Sequence, residues 1–389
     1  MNTATMAPNL ARNPGLDYLR TASILIVLAN HAFIGFFLPL GKAQWSGMTA
    51  YVSASAIISI EWLFVLSGYL IGTMMIRSFE KPGTWAQRAR DFWLRRWFRT
   101  LPNYYLFLAI NVLLVAVGIG HGQFDWTFVV FSQNLYQAEK IPHFFGESWS
   151  LAMDEWFYVL MPLLIGLALL AFRARVATAF LFAAAVLIVV PMVARAWHPV
   201  PPDFFAWDAQ IRRLTLYHLD ATGWGVLAAA VNRWAPHWWN RAVNTRALLG
   251  IALMIAGLAM VWRLTGTGWT PGLAGTFMNT LSTTCLGLGT LLVLPAVTRL
   301  PPVEGWANTF IERTSLYSYS IYLAHFPLIF VLTAALKLNS ETSATVLAGV
   351  TVLWLTCVFA LSALVFHAFE KPVSDLRERF TKAVSASPF

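Results

Sequence analysis

Trp149-Ser150-Leu151-Ala152-Met153-Asp154-Glu155-Trp156-Phe157-Tyr158 opens an apolar run that continues through Met161-Pro162-Leu163-Leu164 to Phe172. Read at the helical period, the run is long enough to cross the hydrocarbon of a bilayer, which takes roughly 20 apolar residues. Two adjacent carboxylates, Asp154 and Glu155, stand near its head. A central acid costs about 2.5 to 3.5 kcal/mol on insertion scales. Either both acids lie in the headgroup layer, where that cost fades, or they are kept inside for a use. The other charged residues of the apolar runs bear on the choice.

Composition extends the membrane reading to the whole chain. Of 389 residues, 58% are apolar and 12% charged, where soluble domains carry about 25% charged residues. Eighteen Trp and 28 Phe suit aromatic belts at the two interfaces. Cys285 and Cys357 fall inside apolar runs, too few and too deep for a disulfide scaffold or a metal site, so no metal is expected and packing is their role. Spans are placed near 16–38, 50–76, 97–119, 148–171, 176–195, 213–231, 246–264, 273–297, 314–336 and 344–368. The expected fold is an all-α polytopic membrane bundle of about ten helices. One transmembrane domain, 16–372, lies between an N-terminal tail, 1–15, and a C-terminal tail, 373–389. The first tail is too short for a signal peptide with its cleavage site. The segment 120–147 holds the apolar run Trp126–Phe131 and is expected to dip into the membrane.

A net charge of +9 would suggest nucleic acid in a soluble protein. Here its distribution gives another account. With the N-terminus inside, 19 basic residues fall in cytoplasmic segments and seven outside (Lys42, Lys140, Arg195, Arg212, Arg213, Arg263, Lys337), with Arg20 left inside the first span. That is the positive-inside pattern of a multi-pass protein with both termini in the cytoplasm, and no nucleic-acid partner is expected.

The first span carries Arg20 and His31, eleven residues apart and so on one helical stripe, about 16 Å along the axis. Asp17, three positions before Arg20, is its expected partner. His31 is either a hydrogen-bonded packing residue or a working group, and the arginine on its stripe favours a face turned to protein or water. The second span buries Glu61 and offers Ser67, Gly68 and Gly72, a small-residue spacing that lets helices approach closely. Arg96 and Arg99 end a basic loop, 77–99, at the head of the third. They suit phosphate recognition as well as lipid headgroups. The sixth places Asp220 at similar depth, after His218. The ninth shows a polar stripe of Ser315, Tyr319, Tyr322 and His325, whose groups suit cross-helix bonding or a site. Pro372 is expected to stop the last helix after Glu370-Lys371.

Taken together, Arg20 and His31 with ten residues between them, Phe64-Val65-Leu66-Ser67-Gly68-Tyr69, Arg96 and Arg99 before Pro102, Trp149-Ser150-Leu151 with Glu155, Phe157 and Tyr158, Tyr322-Leu323 with His325, and Glu370-Lys371-Pro372 resemble acyltransferase family 3. These motifs recur in family order over residues 16 to 372. The family comprises integral membrane acyltransferases, among them bacterial O-acetyltransferases of lipopolysaccharide, exopolysaccharide and Nod factors, and macrolide acyltransferases. The resemblance implies ten helices in the bacterial inner membrane, an acyl-CoA donor entering from the cytoplasm, and an acceptor hydroxyl reached from the periplasm. It implies that His31 is catalytic, that Arg20 supports it, and that Arg96 and Arg99 serve the donor. His218 stands where members often carry Arg, which leaves the partner of Asp220 open. Some members continue into a periplasmic hydrolase-like domain; this sequence ends at Phe389, so acceptor handling is expected of the membrane core.

Acyl transfer from a thioester needs a base for the acceptor hydroxyl, donors for the oxyanion and a grip on the CoA phosphates. His31 is the expected base, or a transient acyl carrier, with Glu155 orienting it and Glu61 as the fallback. Arg20 is expected along the thioester arm, and Arg96, Arg99 and Ser67 on the donor. Asp220, Tyr322, His325, Trp149 and Ser150 are candidates for the acceptor or the oxyanion. Acyl-CoA, acetyl-CoA in the first instance, is expected as co-substrate with no resident cofactor. Membrane lipid and a carbohydrate, a lipid-linked glycan or a macrolide-like molecule are the expected partners. A proton-coupled transporter or flippase also places His, Glu and Arg in the bilayer, but no internal repeat or pair of broken helices is evident.

Overall fold

A backbone in hydrocarbon has only its own groups to bond, so each apolar run must close its hydrogen bonds within a helix. The computed structural model describes residues 12–43, 47–136, 144–266 and 268–376, and not the side chains of 47–54, 265 and 266. Its long helices are α1 (Pro14–Ala32), α2 (Gly47–Phe79), α3 (Trp85–Ala116), α4 (Ser148–Leu170), α5 (Val176–Trp197), α6 (Asp220–Trp234), α7 (Val243–Gly266), α8 (Leu273–Val297), α9 (Gly305–Ala335) and α10 (Ala344–Val365). No strand occurs among the described residues, and nine of these helices are long and apolar enough to cross a membrane. The protein is a multi-pass helical bundle. The tail residues 1–11 and 377–389, and Lys140, lie outside the described residues.

Three boundaries differ from expectation, each for a local reason. The sixth run is not a full span: a short helix (Phe204–Trp207), a π turn (Asp208–Arg212) and a turn of helix (Thr215–His218) precede the 15-residue α6. Arg212 and Arg213 are tied back to Asp208, so the chain folds on itself at the head of α6 instead of running straight. The basic loop 77–99 is mostly helix. Thr84 and Gln87 form a reciprocal capping box that starts α3 at Trp85, which puts Arg96 and Arg99 about three to four turns into it. Pro372 does not end the last helix; a π turn (Phe366–Glu370) intervenes and 371–376 continue as helix, with the proline in a fresh first turn, where it is tolerated.

Consecutive helices run antiparallel, so the N-termini of α1, α3, α5, α7 and α9 share one end, called here the basic end. The tightest crossing joins α2 to α6. A Cβ on Gly68 would come 2.1 Å from the carbonyl oxygen of Thr222, and one on Gly225 2.1 Å from that of Val65. Only glycine fits at either place, as the small-residue spacing of the second span suggested. α1 packs between α2 and α9, while α3 makes thinner contacts with α4 and α9. The segment expected to dip lies along these last helices. Tyr104 Oη donates to Phe128 O (2.8 Å), Tyr105 Oη to Val129 O (2.9 Å) and Trp156 Nε1 to Phe131 O (2.8 Å).

Candidate active site

A cavity of about 190 Å³ opens among α1, α2, α3, α4 and α9. Arg20, Arg96 and Arg99 line it toward the basic end, and Ser150 and Tyr322 lie toward the other. Arg20 Nη1 donates to Ser315 Oγ (3.1 Å), which donates to Asp17 Oδ1 (2.5 Å). Asp17 forms its ion pair with Arg12 (2.5 Å) and meets Arg20 only through the serine, a correction to the pairing expected from spacing. The guanidinium of Arg96 lies 5.4 Å from the centre of the Tyr158 ring. No carboxylate forms an ion pair with Arg20, Arg96 or Arg99 among the described residues. The cavity thus keeps three cations available to an anionic ligand.

Both acids of the opening stretch line this cavity. Ser67 Oγ donates to Asp154 Oδ1 (3.1 Å), and Thr100 Oγ1 to Glu155 Oε1 (2.6 Å). Both acids therefore belong to its wall, Asp154 included, which sequence reasoning left out of the site. Glu155, expected to orient His31, is instead held by Thr100, because it sits about one and a half turns further down α4 than Ser150 and faces α3. The fallback, Glu61, is also engaged elsewhere: its Oε2 lies 2.8 Å from Nε2 of the buried His218.

His31 has a different partner. Its Nδ1 lies 2.6 Å from Nε2 of His325, with the two rings stacked at 4.8 Å. His325 is fully buried, and its Nδ1 lies 3.2 Å from the carbonyl oxygen of Ile321. A carbonyl accepts only, so the Ile321 contact places a proton on His325 Nδ1 and leaves its Nε2 bare. That nitrogen then accepts from His31 Nδ1–H, and His31 Nε2 is left without a proton. His31 is half-buried and is not among the residues lining the cavity. Between them stands Tyr322, whose hydroxyl is 2.7 Å from Ser150 Oγ and whose ring centre is 5.5 Å from that of His325. A π turn, Phe33–Phe37, begins two residues after His31, a distortion that often marks functional sites.

The remaining candidates have structural partners. Asp220 is fully buried in a two-pronged pair with Arg195 (2.9 and 2.7 Å), which also donates to Thr284 Oγ1 (3.0 Å). It therefore leaves the set of acceptor groups, and Arg195 is the partner that was open. Trp149 lies under the guanidinium of Arg212 (4.7 Å), which is bonded to Asp208. Burial works against ionisation of Asp208, but the guanidinium groups of Arg212 and Arg213 outweigh it and hold the carboxyl below its ordinary range. The i, i+4 spacing of Asp208 and Arg212 was a legible signal for this cluster. Nothing in the sequence linked Arg195 to Asp220. Glu370 accepts from Ser320 Oγ (2.5 Å) and Asn103 Nδ2 (3.1 Å) and ties the last helix to α3 and α9. No group of three or more His, Cys, Asp or Glu suited to a metal occurs among the described residues.

The family model described as an acyltransferase domain, Acyl_transf_3, matches residues 13–365. The chain is 23% identical over 377 residues to the Bacillus subtilis protein named "Putative peptidoglycan O-acetyltransferase YrhL", covering 92% of this chain and 54% of that protein. It is 28% identical over 182 residues to a "Putative O-acetyltransferase" of Staphylococcus aureus strain COL, covering 43% and 27%. With the Listeria monocytogenes "Peptidoglycan O-acetyltransferase OatA" the identity is 24% over 163 residues, 38% and 23% of the two chains. The matches thus span about half the length of these relatives or less. No solved structure matches.

Proposed function

We propose a function from one premise: this chain belongs to acyltransferase family 3, whose model covers nearly its whole length. The reading is a membrane-embedded O-acyltransferase that moves an acetyl or other short acyl group from acyl-CoA to a hydroxyl of a carbohydrate acceptor. The relatives named as peptidoglycan O-acetyltransferases support the carbohydrate and the acetyl group. The observation that carries the mechanism is the His31–His325 pair, set beyond a cavity lined at its basic end by Arg20, Arg96 and Arg99.

Arg96 and Arg99 take the anionic part of the donor at the basic end, which the positive-inside pattern assigns to the cytoplasm. Arg20 lines the path of the pantetheine arm. The Ser150–Tyr322 bond closes the far end of the cavity, so Tyr322 turns as the thioester passes, which frees its hydroxyl to donate to the oxyanion. His31 Nε2 takes the proton of the acceptor hydroxyl as its oxygen forms a bond to the thioester carbon. The C–S bond then breaks, and the thiolate leaves with the proton from His31. While His31 is positively charged, its Nδ1–H bond to His325 Nε2 shortens and stabilises it, the task a carboxylate performs in a triad. A route through an acyl-His31 intermediate uses the same groups.

The test is the purified chain in detergent, given radiolabelled acetyl-CoA and an oligosaccharide of N-acetylated sugars, without any membrane gradient. Ester on the sugar and equimolar free thiol are expected. Label on the protein without acceptor would select the two-step route. Glycan movement across vesicles without thioester cleavage would select the flippase and sink the enzyme reading.

A further inference from the structure

A second, apolar recess of about 300 Å³ lies on the outer surface of the bundle where α3 and α4 part. Trp97, Leu101 and Tyr105 form one wall, spaced four apart on a face of α3, and Trp156 and Val159 of α4 form the other. Val130 is 64% exposed there. The two helices that form it are long and apolar enough to cross a membrane. Two residues, Phe131 and Glu155, line both this recess and the cavity. The Phe131 ring and the Glu155 side chain therefore form the partition between the two spaces.

That ring is held in an unusual way. Phe131 has φ +57°, a left-handed conformation that a bulky residue adopts only when its surroundings impose it. Its carbonyl is fixed by Trp156 Nε1 (2.8 Å) and its ring by Tyr104, 4.4 Å between centres. Strain of this sort collects at clamps and gates.

We propose that Phe131 sets the acyl-chain length of the donor, and that the recess behind it is a channel by which a chain longer than acetyl would leave the cavity toward the bilayer. The inference rests on the acyl-CoA reading above. An acetyl group ends inside the cavity, while a longer alkyl chain must find apolar room, and the recess is the apolar space that adjoins the wall. With Phe131 in place the way is shut and short chains are selected. With the ring removed, each methylene seated in the recess should improve kcat/KM about fourfold.

The experiment uses the full chain in lipid nanodiscs with acetyl-, butyryl-, hexanoyl- and octanoyl-CoA, reading thiol release in the presence of the oligosaccharide acceptor. Phe131→Gly suits the left-handed backbone and is expected to raise the hexanoyl-to-acetyl ratio of kcat/KM at least tenfold. Val159→Trp, which fills the recess from α4, should return the ratio to the parent value in the Phe131→Gly background. A ratio within twofold of the parent in Phe131→Gly, with acetyl transfer still measurable, overturns this inference alone. Absence of acetyl transfer by the parent chain overturns it together with the function above. A phospholipid that co-purifies and is lost on Val159→Trp, without any change in chain preference, would give the recess to bulk lipid and overturn it as well.

Discussion

In the proposed mechanism His325 supplies what a triad draws from a carboxylate, but through a neutral ring: it accepts a hydrogen bond without bringing a charge into hydrocarbon, where an ion is costly. His31→Ala should abolish transfer while the protein elutes as a single folded species, and retained turnover would remove His31 from the mechanism. His325→Gln keeps an acceptor where Nε2 stands and should retain part of the activity. His325→Phe keeps the bulk but offers no acceptor, so His31 loses its fixed tautomer and kcat should fall about 10² to 10³-fold with little change in donor KM. A merely structural His325 would give the opposite order, Phe tolerated and Gln not. Asp208 permits a different test at the same scale. Its folded carboxyl titrates lower than usual, so its contribution to stability is present above the unfolded carboxyl range, about pH 4, and is lost as pH falls below that. Asp208→Asn should therefore cost about 2 kcal/mol of stability at pH 7, read as a lower melting temperature, and the variant and parent should converge toward pH 3.

Glycine decides how close α2 and α6 come. Gly225→Ala would drive a methyl group against the Val65 carbonyl, 2.1 Å away at ideal geometry, where the nearest atoms are all backbone and none can swing aside as a side chain would. A loss of about 2 kcal/mol or more is expected, read as a fall in the detergent melting temperature, whereas Gly349→Ala, with open space around it, should change nothing. The crossing shows where a sequence is readable. Gly68 and Gly72 announced it by spacing, and the nine long spans announced themselves by length and apolarity. The start of α3 was misplaced because its first turns are rich in Arg, and a period of hydrophobicity does not register a capping box. The site was readable one residue at a time, since a charged or imidazole group in an apolar run is conspicuous wherever it falls. Its pairings were not, because His31 with His325, Glu61 with His218 and Arg195 with Asp220 each join elements far apart in sequence. Depth along a helix placed Glu155 near His31; the direction each faced, which depth does not carry, gave it to Thr100.

At the scale of the molecule, charge sets direction. Of the seven basic residues assigned outside, Arg195 pairs with Asp220, Arg212 and Arg213 share the single carboxylate of Asp208, and Lys42 donates to the carbonyl of Ser340. The inside assignment of the basic end rests on the count of Lys and Arg in the connecting segments. Cysteine labelling tests it. With Cys285 and Cys357 replaced by Ala, Pro302→Cys puts one thiol in the exposed connection before α9, at the basic end, and Ser340→Cys puts one in the exposed turn between α9 and α10. In intact cells a membrane-impermeant maleimide should label Ser340→Cys and spare Pro302→Cys until the membrane is opened. The reverse pattern would turn the bundle over. Arg96 and Arg99 would then face away from the compartment that holds acyl-CoA, and with the donor unable to reach its cations the thioester chemistry could not start from that side.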